Sequence, residues 1–474
     1  MQNRKDLLQA HRLMAQRAGL ALLQGEADTA EQPLRRINVA TFAGFMIAAL
    51  AVAVFWLIGV LTHSGAQLQR DARGAVIMDK DTGMSYVWCG GKLCPTVNYA
   101  SALLALQTAN PKLSKVSQES LARFPQGEMI GIPGLPAPPV PANLIHGPWS
   151  VCVRTLTTST ASQQAVTLVA GRSVGGQPIS DNHSVLVRSQ HQTWVIWHDQ
   201  RRAITGRYLN VATGFGGQPS TAVAPAWLDS LDEGPPIAPP QIPDIGQPTA
   251  RGPTGPATVG QVYEVPGVSG TQWYVQLSDG VAQISKTQAA LLQFAPGQQV
   301  PRPMRESPQD VEQHPSPQQV HRGDLPPVPP TAVPYTAATP LCAVYNGAAR
   351  GGQVTLSGTI PADSLAIQAA GTGSTGSTGG AGSIVGASAD FVWLPPGAGA
   401  LVGVVTYKGQ QTASTYFLVI RATRYALASP MVASYLGYAL NTERTLVPAN
   451  IVSLIPQGPE LDPGRARLTV ANGH

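Results

Sequence analysis

From Val39 to Leu61 the chain reads VATFAGFMIAALAVAVFWLIGVL, 23 residues without one charge. As a helix it rises roughly 34 Å, enough to cross the hydrocarbon core of a bilayer, so it reads as a membrane span. A secretory signal has a shorter apolar part near the very N-terminus and a small-residue cleavage site. The other alternative is a buried core helix, but Arg35 and Arg36 stand at one border and Trp56 sits near the other in interfacial style. Arg17, Arg35 and Arg36 precede the span while Arg70 and Arg73 follow it, and Cys89, Cys94, Cys152 and Cys342 all lie after it. Both signals favour a cytoplasmic N-terminus, with an oxidising compartment holding everything beyond the span. The expected location is the inner membrane, single-pass, with the bulk of the chain extracytoplasmic.

Residues 1–38 form their own unit. Leu7, His11, Met14, Ala18 and Ala21 follow helical spacing, with Arg4, Lys5, Arg12 and Arg17 mostly elsewhere. The pattern predicts an amphipathic helix whose stripe docks on a partner or rests on lipid.

The remainder is too long for one core, and 42 Pro and 49 Gly imply short elements and many turns. Net charge is +5 from only 12% charged residues, with no dense basic block to neutralise a phosphate backbone. Nucleic acid is therefore excluded as an expected partner.

Internal similarity organises this region. YVWCGGKLCPTVNYASALLAL (86–106) lies without gaps over YVQLSDGVAQISKTQAALLQF (274–294), each reading as a hairpin that leads into a helix. Further copies start at Thr193 and Thr415. Closing segments recur as VSQESLARFPQG, VAPAWLDSLDEG and VPANIVSLIPQG. Val116, Val223 and Val447 are followed five residues on by Leu121, Leu228 and Val452, and six further by Gly127, Gly234 and Gly458. That spacing predicts short helices with Gly as the stop. The third copy continues into a polar, proline-rich stretch, so no clear closing helix is expected there.

The expected fold is α+β: an N-terminal amphipathic helix (1–38), one transmembrane helix (39–61), then four repeats of about 50 residues around a discontinuous central β domain. The repeats are placed at 74–135, 191–246, 257–320 and 414–463. The central domain is placed at 147–190 and 326–413, with a tail over 464–474. Cys152 and Cys342 stand near the start of the first strand of each central piece, which makes a bridge between them the natural staple. For Cys89 and Cys94, flanking a Gly-Gly turn, a hairpin disulfide is favoured because Leu277 and Ala282 fill the same places in the third copy. A redox pair, half a zinc site and two buried thiols remain as alternatives.

QAHRLMAQRAGLALL, SYVWCGGKLCPTVNYASALL, PWSVC, WLDSLDEGPPIAPP, FVWLPPGAGALV and VPANIVSLIPQGPELDP, in this order, resemble the EccB family of the actinobacterial type VII (ESX) secretion core. The resemblance implies an elongated extracytoplasmic part of four repeats around a central β domain tied by a disulfide, which falls here on Cys152 and Cys342. It implies assembly with EccC, an ATPase, with EccD and EccE, and with a mycosin protease. Because the family's repeats resemble wall-binding units of a phage lysin, it also raises peptidoglycan contact. The Cys89–Cys94 pair departs from the general family pattern.

EccB proteins are sometimes labelled ATPases, but GTGSTGST (Gly371–Thr378) puts Ser377 where a P-loop requires the lysine that reaches the terminal phosphates. It reads as a Gly/Ser/Thr loop. There is no H-E-x-x-H, and His183 and His191 read as a solvated strand face. Asp244 and Asp462 stand in proline-rich turns, where turn chemistry explains them. No catalytic, cofactor or metal residue is therefore expected. The favoured reading is a scaffold subunit of a secretion complex whose outer part self-associates; the alternative is a membrane-stalked peptidoglycan binder or wall-directed enzyme.

Overall fold

The computed structural model describes residues 4–24, 33–62, 74–157, 162–205, 220–293, 302–320, 323–347, 351–362, 365–366, 388–406 and 409–470. The chain divides into two compact units, Met1–Gln69 with Lys115–Arg123, and Arg70–Ser114 with Phe124–His474. In the first, one helix spans Arg4–Gln24 and a second Pro33–Thr62. The second is 30 residues long, and its apolar part, Val39–Ile58, buries no side chain within the chain. Among the described residues it is the one helix long and apolar enough to cross a membrane.

The larger unit is rich in β structure. Four three-stranded meanders recur in it: Ala75–Asp79, Ser85–Cys89 and Lys92–Thr96; His183–Ser189, Gln192–Trp197 and Gln200–Ile204; Val262–Gly267, Gly270–Gln276 and Val281–Ile284; Gly399–Val405, Thr415–Ile420 and Thr423–Ala426. In each sheet a later strand adds beside the first strand of the meander, and these begin at Lys112, Thr221, Met304 and Arg444. The last three pair in parallel, which requires a crossover over the sheet. Helices Tyr99–Leu106, Lys286–Leu292 and Met431–Tyr435 stand in the first, third and fourth crossovers. The first two have local side-chain caps: Asn98 accepts from the Ser101 amide, and Ser285 with Gln288 forms a capping box.

Closing helices follow at Gln118–Ala122, within the Lys115–Arg123 stretch of the first unit, and at Pro225–Asp229, Pro308–Val311 and Ala449–Ser453. The third corrects the sequence expectation. Its polar setting conceals a Ser307 cap, a proline in the first turn and one buried anchor, Val311. Gly127, Gly234 and Gly458 are also corrected, since each lies five residues past its helix and none is left-handed. Instead they let the returning chain run close to the third strand of the meander, donating to the carbonyls of Leu93, Arg201 and Arg424 at 2.8, 2.9 and 2.9 Å.

A seven-stranded sheet stands apart from the meanders, in the order Leu365–Ala366, Phe391–Trp393, Ser162–Ala170, Trp149–Thr157, Leu341–Tyr345, Gln353–Leu356, Gln177–Pro178. Its strands come from two stretches far apart in sequence, joined where Leu341–Tyr345 runs antiparallel to Trp149–Val153. His183–Ser189 and Gly399–Val405, assigned to this domain in the sequence, pair instead with Gln192–Trp197 and Thr415–Ile420. The reason is burial on both faces, which replaces alternation by an apolar run. Val185 and Val187 enter the core of the central sheet while Leu186 enters another; likewise Ala400 and Val402 against Leu401.

Those shared cores order the parts. The first and fourth meanders share one core, the fourth, the central sheet and the second share another, and the second shares a third with Leu291 of the third. Chain order one to four thus becomes packing order three, two, centre, four, one.

Candidate interaction surfaces

Among the described residues, the N-terminal helix leaves a stripe of its surface exposed. Leu7, His11, Met14 and Ala18 are all exposed, Leu7 by 58% and Met14 by 75%. At 100° per residue the four fall within one narrow stripe, and exposing such a stripe to water is unfavourable.

Both cysteine pairs come together as disulfides. Cys152 and Cys342 stand directly opposite one another across the two central strands, with Cα atoms 4.0 Å apart and both side chains fully buried. Val169, Val174, Val344 and Trp393 enclose them. Cys89 and Cys94 join across the Gly90-Gly91 turn with Cα atoms 5.9 Å apart. Gly90 and Gly91 have φ of 55° and 83°, the left-handed pair that a two-residue hairpin turn demands. A Cβ on Gly127 would overlap the Cys94 sulfur and come within 3.3 Å of that of Cys89.

The remaining sequence candidates are not brought together. His183 opens one strand and bonds Ser180, whereas His191 sits in the turn after that strand, so the two rings stand at opposite ends of it. Asp462 accepts from the Gly464 amide at 2.8 Å, an Asx turn, and Asp244 is itself a left-handed turn residue with φ 57°. Gly371–Thr378 lies outside the described residues. Among the described residues, no three His, Cys, Asp or Glu side chains stand close enough to hold a metal ion.

A cleft of about 530 Å³ was not foreseen, because its walls come from distant segments. One wall is the turn after the second meander's middle strand. Trp197 stacks on His198 with centroids 3.9 Å apart, and the His198 Nε2 stands 3.3 Å from the Asp181 carboxylate. Beneath them the Arg202 guanidinium lies 4.8 Å from the Trp197 ring and donates to the Asp324 carbonyl and the Gln200 amide oxygen. The other wall is the proline-rich strap running from Gly323 to Thr331.

A sequence model of the family described as "Type VII secretion system ESX-1, transport TM domain B" matches residues 2–472. The chain belongs to this EccB family. One EccB relative, the "ESX-3 secretion system ATPase EccB3" of Mycolicibacterium smegmatis, is 28% identical over 456 residues, covering 92% of this chain and 84% of its own. The structure superposes on a chain of an intact ESX-5 inner membrane complex with a TM-score of 0.65 and 25% identity, covering 100% of this chain and 96% of that one. It superposes equally, at 0.65 and 27% identity, on EccB3 from a dimer of the ESX-3 core complex, covering 83% of this chain and 100% of that one. EccB membership thus accounts for the whole length, from the apolar helix through the β-rich unit.

Proposed function

We propose that this chain is a structural, non-enzymatic subunit of a type VII secretion inner-membrane complex. The supporting observation is its likeness, over its full length, to a chain within the intact ESX-5 inner membrane complex. In this reading residues 1–38 are cytoplasmic, 39–61 cross the membrane, and the rest lies outside. The four meanders with their crossovers and closing helices are four copies of one unit, arranged around the disulfide-tied central sheet. The Leu7/His11/Met14/Ala18 stripe docks on EccC-, EccD- or EccE-like membrane partners, a mycosin protease joins the complex, and the outer part pairs with copies of itself, as the dimer of the EccB3 relative suggests. The ATPase label of the relatives is set aside for this chain because Ser377 replaces the phosphate-binding lysine.

Affinity purification from solubilised membranes tests this. Wild type brings down a stoichiometric membrane complex. Leu7→Glu with Met14→Glu weakens that complex while leaving the outer part folded, since the two lie far apart in the chain. Ser377→Ala leaves secretion near normal. An unchanged complex with both Glu substitutions, together with secretion abolished by Ser377→Ala, overturns the scaffold reading.

A further inference from the structure

The two disulfides differ in their access to solvent. Cys152–Cys342 is fully buried, with Val169, Val174, Val344 and Trp393 packed around it. Cys89 is half-buried beside the exposed Gly90-Gly91 turn, whereas Cys94 is 4% exposed and belongs to the core of the first and fourth meanders. The returning segment covers Cys94. Gly127 lies against its sulfur, and two hydrogen bonds hold this segment to the residue before it: the Leu93 amide donates to the Pro125 carbonyl at 2.8 Å, and the Gly127 amide donates to the Leu93 carbonyl at 2.8 Å. Thiolate attack on a disulfide depends on access to the sulfur attacked. Access here is at Cys89, with Cys94 as the leaving group.

Opening this bond leaves the hairpin standing. Its strands are paired in register from Ser85↔Thr96 to Cys89↔Lys92, and the Ser85 and Thr96 hydroxyls bond at 2.7 Å. The third meander keeps the same register, from Trp273↔Ile284 to Gln276↔Val281, with Leu277 and Ala282 where the first has its cysteines. A bridge between residues 5 apart also constrains the unfolded chain little.

We propose that Cys89–Cys94 is a thiol-exchange site, opened by a dithiol reductant while the chain stays folded. A thiolate of the dithiol attacks the Cys89 sulfur, the Cys89–Cys94 bond breaks, and Cys94 leaves as a thiolate. The second thiol of the reductant then displaces Cys89. The reductant ends as its own disulfide, and its two protons end on the two cysteines. A second thiol in the same molecule is required because the paired strands keep Cys94 beside Cys89, at a high effective concentration for expelling a single thiol.

Graded dithiothreitol on the detergent-purified full chain, quenched with N-ethylmaleimide and read by peptide mapping, tests it. Cys89 and Cys94 become alkylated at dithiol concentrations about tenfold or more below those that open Cys152–Cys342, with the far-ultraviolet circular dichroism unchanged. The asymmetry is read in the single variants: Cys89 in Cys94→Ser reacts with iodoacetamide about tenfold or more faster than Cys94 in Cys89→Ser. Opening of both pairs at the same concentration, opening only together with loss of the dichroism signal, or equal rates in the two single variants overturns the proposal.

Discussion

The indole N–H of Trp227 donates to the carbonyl of Val151 at 3.1 Å, with the ring fully buried. This bond fastens the second closing helix to the central sheet. The end of that helix is held twice more, because the Ser230 carbonyl accepts from the Tyr345 hydroxyl and, at 2.6 Å, from the Asn450 amide of the fourth closing helix. Burial pushes the Tyr345 hydroxyl far above its ordinary pKa, so it remains a donor at any physiological pH. Trp227→Ala removes the ring and the bond together and should cost about 3–5 kcal/mol. Trp227→Phe keeps most of the packing and should cost less than half of that. Urea unfolding of the two variants checks this; equal losses would mean that the indole volume contributes little.

The two disulfides should differ in weight. Cys152–Cys342 closes a sequence separation of 190 residues, for which chain entropy gives at most about 5 kcal/mol, while Cys89–Cys94 spans 5 and gives about 2. The double variant Cys152→Ala/Cys342→Ala should accordingly lower the thermal midpoint well beyond Cys89→Ala/Cys94→Ala. Non-reducing peptide mapping should recover both pairs, and free thiol at Cys152 and Cys342 would contradict the assignment.

Asp79 makes the first turn sensitive to acid. Its carboxylate accepts from the Thr82 hydroxyl at 2.6 Å and from the Asp81 amide at 3.0 Å, and these bonds, the hydroxyl first, hold its pKa below the usual carboxylate value. A depressed folded pKa contributes stability that is present above the unfolded value, about 3.9, and is lost as pH falls through the folded one. The midpoint difference between wild type and Asp79→Asn should therefore be largest near neutrality and shrink below about pH 4. A difference of the same size at pH 7 and pH 2 would rule this out.

The span and the hairpins at 86–94 and 274–282 were legible because each rests on contiguous residues: an uncharged run, or strands joined by a short turn. The first strands of the second and fourth meanders were not. Leu186 and Leu401 point into cores different from those of their neighbours, so the apolar run carries no period that names its sheet. The cleft was invisible for another reason: 122 residues separate Arg202 from the Asp324 carbonyl it binds, and no local spacing encodes that approach. The closing glycines were noticed for a recurring position, yet their cause lies across the sheet.

That cause yields the sharpest test. A Cβ on Gly234 would sit 2.6 Å from the Gln200 amide oxygen, and one on Gly458 would sit 2.5 Å from the Tyr425 ring, while at Gly127 it would strike the Cys94 sulfur. The third meander has Ser316 at the matching place, its amide donating to the Val281 carbonyl at 2.9 Å. There the strand carries Gly280 and Ala282 where the first has Lys92 and Cys94. A Cβ on Gly280 would lie 3.0 Å from the Ser316 amide nitrogen, so the missing side chain has moved from the returning segment to the strand it follows. Gly127→Ala, Gly234→Ala and Gly458→Ala should each cost about 1–3 kcal/mol through overpacking, and Ser316→Gly under about 1. Borrowing the third meander's residues should relieve the first: with Cys89→Leu and Cys94→Ala present, adding Gly127→Ala should cost measurably less than it does alone, a coupling that a double-mutant cycle reads directly. Strict additivity of the changes would show that Gly127 answers to something other than the disulfide it lies against.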